Sequence, residues 1–259
     1  MDRRREPLPT RVQDTPDLPA AYEAALRRGL DDLGLELPEA ARAAIDGHIR
    51  LLLAWTPAIN LTAIRDPAAV ALGHVVDSLT GLAWLRAWGI ERLLDLGSGG
   101  GFPGLPLAAA ESSLDVTLLE PVAKKARFLT PVVEATGLAG RVGVVALRAE
   151  DLVRDPDQRG RWPAIAARAV AATADLVELA FPLLAAGGSL IAWKRGDLAT
   201  ELAAANRAIE ALGGGSIDVV EVRVGGLRDH RLVVATRAPA GRVPDGYPRD
   251  PAARRRRPW

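Results

Sequence analysis

From residue 91 onward, short runs rich in leucine and β-branched residues alternate with helical patterns. Seven runs predict strands, and helical patterns fill the gaps after the first five. This alternation is typical of an α/β fold whose mostly parallel sheet is covered by helices on both faces. The connection at 225–230 is too short for a crossover helix, so the last two strands should form an antiparallel C-terminal hairpin. The predicted strands are residues 92–97, 115–120, 142–147, 164–169, 189–194, 217–224 and 231–237.

The chain divides into four predicted segments. Residues 1–20 contain four prolines and balanced charge, which predicts a disordered N-terminal segment. Residues 21–89 have apolar residues at helical spacing and should form a helical N-terminal extension. Residues 90–238 should form the seven-stranded sheet domain, and residues 239–259 a basic C-terminal tail.

The composition excludes several classes of protein. With 49% hydrophobic and 25% charged residues, the chain can bury a core like an ordinary globular protein. The absence of cysteine excludes disulfides and thiolate chemistry, and three histidines far apart in sequence predict no metal site. The N-terminus has no apolar signal region, and the most apolar long stretch, 170–193, is interrupted by charges and proline. We therefore expect no membrane span and a cytoplasmic location.

The net charge conceals an asymmetry between the body and the tail. The formal charge is +1, which by itself predicts no polyanionic partner. Residues 249–259 hold five arginines against one aspartate, a net +4, so the rest of the chain carries −3. A slightly acidic body therefore has a basic tail.

A glycine-rich stretch, residues 94–104, follows the first predicted strand and precedes a helix. Doubly wound sheets bind ligands at this position, and glycine lets the backbone turn without Cβ clashes. Gly99, Gly101 and Gly104 match the dinucleotide fingerprint GxGxxG, a weak signal on its own. A pyrophosphate also needs free amides at the helix N-terminus, and Pro103 removes one of them.

The same stretch fits a second register, in which a carboxylate ends the strand. Asp95 would repel a pyrophosphate, whereas it suits S-adenosylmethionine (SAM), which carries an ammonium and a sulfonium. Charge therefore favours SAM as the cofactor, and an NAD(P)-dependent oxidoreductase is the alternative. The candidate cofactor contacts in this loop are Asp95, Gly97, Gly99 and Gly101.

Charged residues also stand where later strands should end, on the same edge of the sheet. Glu120 ends the second strand, where a carboxylate can accept from both hydroxyls of a ribose. Glu150 follows the third strand and either accepts from an adenine amino group or charges the first turn of the next helix. Arg168 and Lys194 end the fourth and fifth strands. We assign Arg168 to positioning of the cofactor or of a phosphate.

Seven motifs occur together in one order along the chain. The set resembles the small-subunit (16S) ribosomal RNA guanine-N7 methyltransferases of bacteria, the glucose-inhibited division protein B family, over about residues 22–249. The resemblance implies a class I SAM-dependent methyltransferase (Rossmann-like) fold that methylates N7 of a guanine in the decoding-region (530) loop of 16S rRNA. The motifs are Asn60–Ile64, His74–Leu79, Asp95–Pro106, Lys124–Leu129, Arg148–Glu150, Ala167–Ala171 and Tyr247–Arg249.

Carried over by motif, the resemblance implies cofactor contacts at Gly97, Phe102, Ala149, Glu150 and Arg168. It implies 16S rRNA or the small ribosomal subunit as the partner, and we expect a monomer that needs neither a metal nor a membrane. An RNA-binding assembly factor that has lost catalysis is a second alternative. No catalytic residue is assigned, because N7 carries a free lone pair and needs no base.

Basic residues supply the candidate RNA contacts, which should weaken with salt. Those on the helix after Glu120 fit a solvated face and an RNA contact equally well. The tail departs from the family pattern after Arg249 but keeps its basic character; it either binds phosphates, with Trp259 stacking on a base, or is solvated. The RNA candidates are Lys124, Lys125, Arg127, Lys194, Arg249, Arg254, Arg255, Arg256 and Arg257.

His74 and Asp77 share a helix face and either line the site or pack the helix.

Overall fold

A seven-stranded sheet forms the centre of the protein, whose computed structural model describes residues 7–259. The strands are β1 (Arg92–Leu96), β2 (Asp115–Leu119), β3 (Val142–Val145), β4 (Trp162–Arg168), β5 (Leu184–Arg195), β6 (Gly215–Glu221) and β7 (His230–Arg237). They lie in the order β3-β2-β1-β4-β5-β7-β6. The first five are parallel, and β7 is antiparallel to both β5 and β6. All seven predicted strands and the hairpin are confirmed.

Eleven α-helical elements surround the sheet within the described residues. They are α1 (Ala20–Leu33), α2 (Glu39–Ile59), α3 (Pro67–Val70), α4 (Asp77–Leu79), α5 (Leu82–Ala87), α6 (Gly104–Ala110), α7 (Ala123–Ala135), α8 (Ala149–Leu152), α9 (Thr173–Ala180), α10 (Ala199–Ala211) and α11 (Pro251–Arg256). A π-helical segment, Ala71–Val76, joins α3 to α4. Such segments are rare and occur often at functional sites.

Local sequence explains where the helices of the extension begin and end. Gly34 takes a left-handed conformation after α1, with φ of 62°, and so stops that helix. The Asp66 side chain accepts from the Ala69 amide and Pro67 occupies the first turn, which starts α3. The long helix α2 continues through Pro57 to Ile59.

The helical extension packs against one face of the sheet domain and does not form a separate body. Buried side chains of α1, α2 and the π-helical segment share one hydrophobic cluster with α6, α7 and the sheet. A second cluster lies between the opposite face and the helices α9 and α10. One helical run of the described chain, Pro67–Ala87, has the length and composition of a membrane span, and 56% of its most apolar window is buried inside the protein.

The predicted disorder of residues 1–20 is wrong over the part that the structure describes. The Trp55 indole donates to the carbonyl of Pro9 over 2.7 Å, and Arg50 donates to the Thr15 hydroxyl over 3.1 Å. Residues 7–19 therefore lie along α2, which supplies partners that composition alone does not reveal. Residues 1–6 lie outside the described residues.

Candidate cofactor and substrate site

The glycine loop between β1 and α6 turns through three left-handed glycines. Gly97, Gly99 and Gly101 have φ of 77°, 57° and 93°. A Cβ added to Gly97 would lie 2.7 Å from a methyl of Val170, and one added to Gly101 would lie 2.4 Å from a methyl of Leu105. Both backbone conformation and space therefore require glycine at these two positions.

Most amides of this loop are already used inside the protein. Seven of them donate to a backbone carbonyl or a carboxylate, so the loop and the start of α6 do not offer the cluster of free amides that a pyrophosphate needs. This observation argues against a dinucleotide, in agreement with the charge argument from the sequence. The amides concerned are those of Gly97, Ser98, Gly99, Gly101, Phe102, Gly104 and Leu105.

Asp95 lies beneath the loop, against the start of α6. Its Oδ2 accepts from the Gly104 amide over 2.9 Å, the side chain is fully buried, and Oδ1 has no partner within the described residues. Burial raises the pKa of Asp95 to about 7. In this structure Asp95 holds the start of α6, and its contact with a cationic cofactor stays a prediction.

Asp95 should make the stability of the protein depend on pH. Because its pKa rises from 3.8 to about 7 on folding, its proton stabilises the folded state below about pH 4, and this stabilisation is lost as the pH rises through 7. The loss is at most about 4 kcal/mol. Chemical denaturation of the wild type and of Asp95→Asn, from about pH 5 to about pH 8, measures the free energy of unfolding of each protein as a function of pH. The wild type should lose stability relative to the always-neutral variant as pH rises; a constant difference would contradict the prediction.

Glu120 ends β2 beside the glycine loop, as predicted. Its Oε2 accepts from the Gly99 amide over 2.8 Å and its Oε1 from the Val122 amide over 2.7 Å. Each carboxylate oxygen has a second lone pair. The side chain can therefore still accept from the hydroxyls of a ribose while it fixes the shape of the loop.

A cavity of about 230 Å³, the cofactor cavity, opens where β1, β2, β3 and β4 end. Gly97, Ala149, Glu150 and Val170 contribute to its lining, and leucines form apolar walls. Apolar walls with a single carboxylate suit a purine nucleoside. The residues present thus fit the adenosine part of SAM, with Glu150 available to a base and Glu120 close to the loop.

Arg168 forms the centre of a buried polar network that joins the extension to the sheet. Its guanidinium donates to Asp77 over 3.0 Å and to the carbonyl of Gly73 over 2.9 Å. The second Asp77 oxygen accepts from Nδ1 of His230 at 2.7 Å. The network therefore connects β4, β7 and the π-helical region of the extension. It also shows that Asp77 pairs with Arg168 and His230, whereas the sequence left the role of Asp77 open.

His74 and Phe102 complete this network. Nδ1 of His74 accepts from Arg168 over 3.0 Å, so its Nε2–H donates to Thr62 over 2.6 Å. Burial and Arg168 lower the pKa of His74 to about 3, which keeps the ring neutral with both nitrogens occupied. The ring stacks at 4.6 Å on Phe102, over which the Arg168 guanidinium lies at 4.9 Å. Phe102 is therefore buried under Arg168 and does not line the cofactor cavity.

A second cavity, of about 340 Å³, lies beside the first and is named the base cavity here. Arg168, Trp193, Arg195 and His230 are among its lining residues. The turn after β4 separates the two cavities, since Ala169 lines the base cavity and residues 170 and 171 line the cofactor cavity. Ala169 has φ of 56°, a strained conformation for a residue with a side chain.

Several predicted RNA contacts instead have partners within the protein. Lys194 Nζ donates to the carbonyl of Ala171 over 2.7 Å and pairs with Glu201, so it holds the turn between the cavities. Arg249 pairs with buried Glu178. Arg254 pairs with Glu150. These three basic residues are therefore not available to RNA in this structure, and the predicted tail is in fact packed on the domain.

The other basic candidates remain accessible. Among the described residues, none of Lys124, Lys125, Arg127, Arg255, Arg256 and Arg257 takes part in an ion pair. All are exposed except Lys125, which is half-buried. Within residues 7–259, no three acidic or histidine side chains come together in a group that could hold a metal ion.

The strand order, the glycine loop after β1 and the acidic residue ending β2 are those of the class I SAM-dependent methyltransferase fold. The fold resembles that of the O-methyltransferase from Bacillus cereus in complex with SAH, with a TM-score of 0.56, 17% identity, and coverage of 83% of this chain and 100% of that one. The fold class predicted from the sequence is therefore confirmed; the enzyme class and the SAM cofactor are confirmed by the family to which the chain belongs.

The particular family follows from comparison with known sequences. Residues 42–230 match the GidB family, described as rRNA small subunit methyltransferase G, and the chain belongs to this family. Ribosomal RNA small subunit methyltransferase G from Dehalococcoides mccartyi is 38% identical over 85% of this chain and 93% of its own length. The protein of that name from Chloroflexus aggregans is 41% identical over 87% and 93%.

Proposed function

We propose that the protein transfers a methyl group from SAM to N7 of a guanine in the 530 loop of 16S rRNA. The observation that carries this proposal is the base cavity, which adjoins the cofactor cavity at the edge where the parallel strands end. A base in one cavity would face a cofactor in the other across the turn that contains Ala169. We further propose that the protein acts as a monomer in the cytoplasm, on naked rRNA or on the assembling subunit.

The chemistry requires positioning more than acid–base catalysis. SAM supplies an electrophilic methyl group, and guanine N7 has a lone pair that needs no deprotonation. A bond forms between N7 and the methyl carbon as the methyl–sulfur bond breaks, and the positive charge passes to the base. Holding the two reactants in line can contribute roughly 7–11 kcal/mol. Neutral His74, with both nitrogens occupied, fits a mechanism without a general base.

The charge around the base cavity is balanced for a cationic product. A bare arginine would oppose the methylated base, but Asp77 lies 3.0 Å from the Arg168 guanidinium and offsets its charge. Trp193 forms a wall whose indole donates to the Asp77 carbonyl over 2.6 Å, which fixes the ring. Arg195 is exposed and lines the same cavity, where it suits a phosphate of the incoming strand.

The exposed arginines of α11 and its end should contribute to RNA affinity through phosphate contacts. Replacing Arg255, Arg256 and Arg257 together by serine should reduce the salt dependence of binding, with the log–log slope falling by about 2 for three lost contacts. Filter binding or fluorescence anisotropy with 16S rRNA at several salt concentrations measures this slope. The control removes three exposed arginines elsewhere, Arg27, Arg28 and Arg207. Equal slopes for the wild type and the triple variant would contradict the prediction.

Methyl transfer to unmodified RNA tests the proposed function directly. Purified protein is incubated with tritiated SAM and with 16S rRNA or small subunits that lack the modification, and the modified base is mapped by chemical cleavage at N7-methylguanine. We expect label at one guanine of the 530 loop. SAM binding without transfer to either substrate would favour the RNA-binding assembly factor. Binding of NAD in a parallel titration would favour an oxidoreductase, which the occupied loop amides oppose.

A further inference from the structure

The C-terminal segment 247–259, named the clasp here, is packed on the sheet domain and belongs to it. It is anchored on Glu178 of α9, whose side chain is fully buried. The Glu178 carboxylate accepts from the Arg249 amide over 2.7 Å, from two nitrogens of the Arg249 guanidinium, and from the Trp259 indole over 2.7 Å. The clasp is thus attached at both its beginning and its end.

Further contacts fix the conformation of the clasp between these anchors. The Arg249 guanidinium lies 4.7 Å from the ring of Trp259 and donates to the carbonyl of Arg257 over 2.8 Å. Asp250 starts α11 by accepting from the amides of Ala252 and Ala253, each over 2.9 Å. This cap fixes where α11 begins, and so it fixes the directions in which the side chains of α11 project.

One side chain of the clasp reaches the cofactor cavity. Arg254 lines this cavity, pairs with Oε1 of Glu150 and donates to the carbonyl of Arg249 over 2.7 Å. The two charged side chains are only 12% and 13% exposed. Oε2 of Glu150 makes no hydrogen bond within the described residues. Glu150 thus keeps one acceptor oxygen for a ligand while Arg254 holds the other.

We propose that the clasp completes the cofactor site, and that Arg254 is a positioning residue for recognition of the adenine of SAM. Arg254 neutralises Glu150 and fixes its orientation, so that Oε2 accepts from the 6-amino group of the purine. The inference rests on the SAM-dependent class of the protein and is independent of the RNA substrate proposed above.

The chemistry of the ligand gives a direct readout of this contact. A carboxylate oxygen attracts the 6-amino group of adenine but repels the 6-oxo group of hypoxanthine. Calorimetric titration with S-adenosylhomocysteine and with S-inosylhomocysteine therefore measures whether Glu150 is correctly placed. The wild type should prefer the adenine ligand by about tenfold or more, the equivalent of about 1.4 kcal/mol.

Arg254→Ala should weaken binding of S-adenosylhomocysteine about tenfold and reduce the preference for the 6-amino ligand. Arg207→Ala is the control, since Arg207 is an exposed arginine of α10, and it should bind both ligands like the wild type. In a Glu150→Ala background, Arg254→Ala should have little additional effect, because Arg254 acts through Glu150.

Two results would overturn the proposal. One is an Arg254→Ala variant whose affinities match those of the wild type. The other is a loss of affinity of the same size with and without Glu150, which would mean that Arg254 acts through the general fold of the clasp. Neither result concerns methyl transfer to RNA, so failure of this proposal can be distinguished from failure of the proposed function.

Discussion

Replacing Asp77 by alanine should lower the free energy of unfolding by about 3–5 kcal/mol, the usual cost of removing one partner of a buried ion pair. Asp77 accepts from Arg168 with one oxygen and from His230 with the other. Its loss leaves the Arg168 guanidinium, with only 12% of the side chain exposed, without its counter-ion. Chemical denaturation followed by circular dichroism measures the change.

A surface aspartate provides the control for Asp77. Asp245 faces Arg242 at 3.6 Å, and both side chains are more than 80% exposed. Asp245→Ala should change the free energy of unfolding by less than about 0.5 kcal/mol. If Asp77→Ala proved equally mild, Arg168 would have to be solvated in the native state, contrary to the network described.

Replacing Gly97 by alanine should weaken SAM binding by roughly 10- to 100-fold, the equivalent of about 1.4–2.7 kcal/mol. The substitution places a side chain at φ of 77°, and its Cβ would lie 2.7 Å from Val170. Because Gly97 and Val170 both line the cofactor cavity, the displaced side chain would narrow the cavity itself. Titration calorimetry with SAM measures the loss.

A second glycine, Gly89, provides a control that distinguishes the effect of backbone strain from the effect of a narrower cofactor cavity. Gly89 has φ of 59° and no atom within 4 Å of an added Cβ, so Gly89→Ala carries a similar left-handed strain outside the site. Gly89→Ala should lower stability by about 1–2 kcal/mol and leave SAM affinity unchanged. Equal SAM affinities in Gly97→Ala and Gly89→Ala would show that Gly97 does not shape the cavity.

The sheet could be predicted from sequence because each strand carries its own local signal. Runs such as 115–120 are short, apolar and followed by helical spacing, and the short connection after the sixth run predicts the hairpin. The order of the strands in the sheet has no local signal and comes from the structure. Gly34 and Pro67 likewise mark helix ends by conformational preferences that act within one turn. The position of Glu120 at the end of β2 was predicted correctly for the same reason, because the end of a strand is marked by neighbouring residues.

The partners of basic residues could not be predicted, because they are distant in sequence. Arg249 meets Glu178 and Arg254 meets Glu150 only after the chain has returned across the sheet. No local pattern distinguishes these arginines from the exposed Arg255–Arg257. For the same reason, sequence reasoning gave no role to His230, whose signal was only its position at the start of a strand on the ligand-binding edge.

Two residues predicted to contact the cofactor have partners within the protein that the sequence did not reveal. Asp95 lies within a strand, where successive side chains point to opposite faces, and its side chain lies under the loop against Gly104. Phe102 is fixed between the rings of His48 and His74. Both residues therefore fix the conformation of the glycine loop through contacts on its buried side. A sequence motif does not show whether a residue contacts the cofactor or supports the loop that does.

The clasp follows the sheet domain along the chain and is therefore synthesised after it. Since domains begin to fold from their N-terminal side as they emerge, the sheet and the glycine loop can form before Arg254 and Trp259 are available. A nascent or prematurely terminated chain would therefore hold a cofactor cavity that lacks one wall and would leave Glu178 without its partners. Full cofactor affinity would then be reached only after the clasp has been synthesised and has packed on the domain.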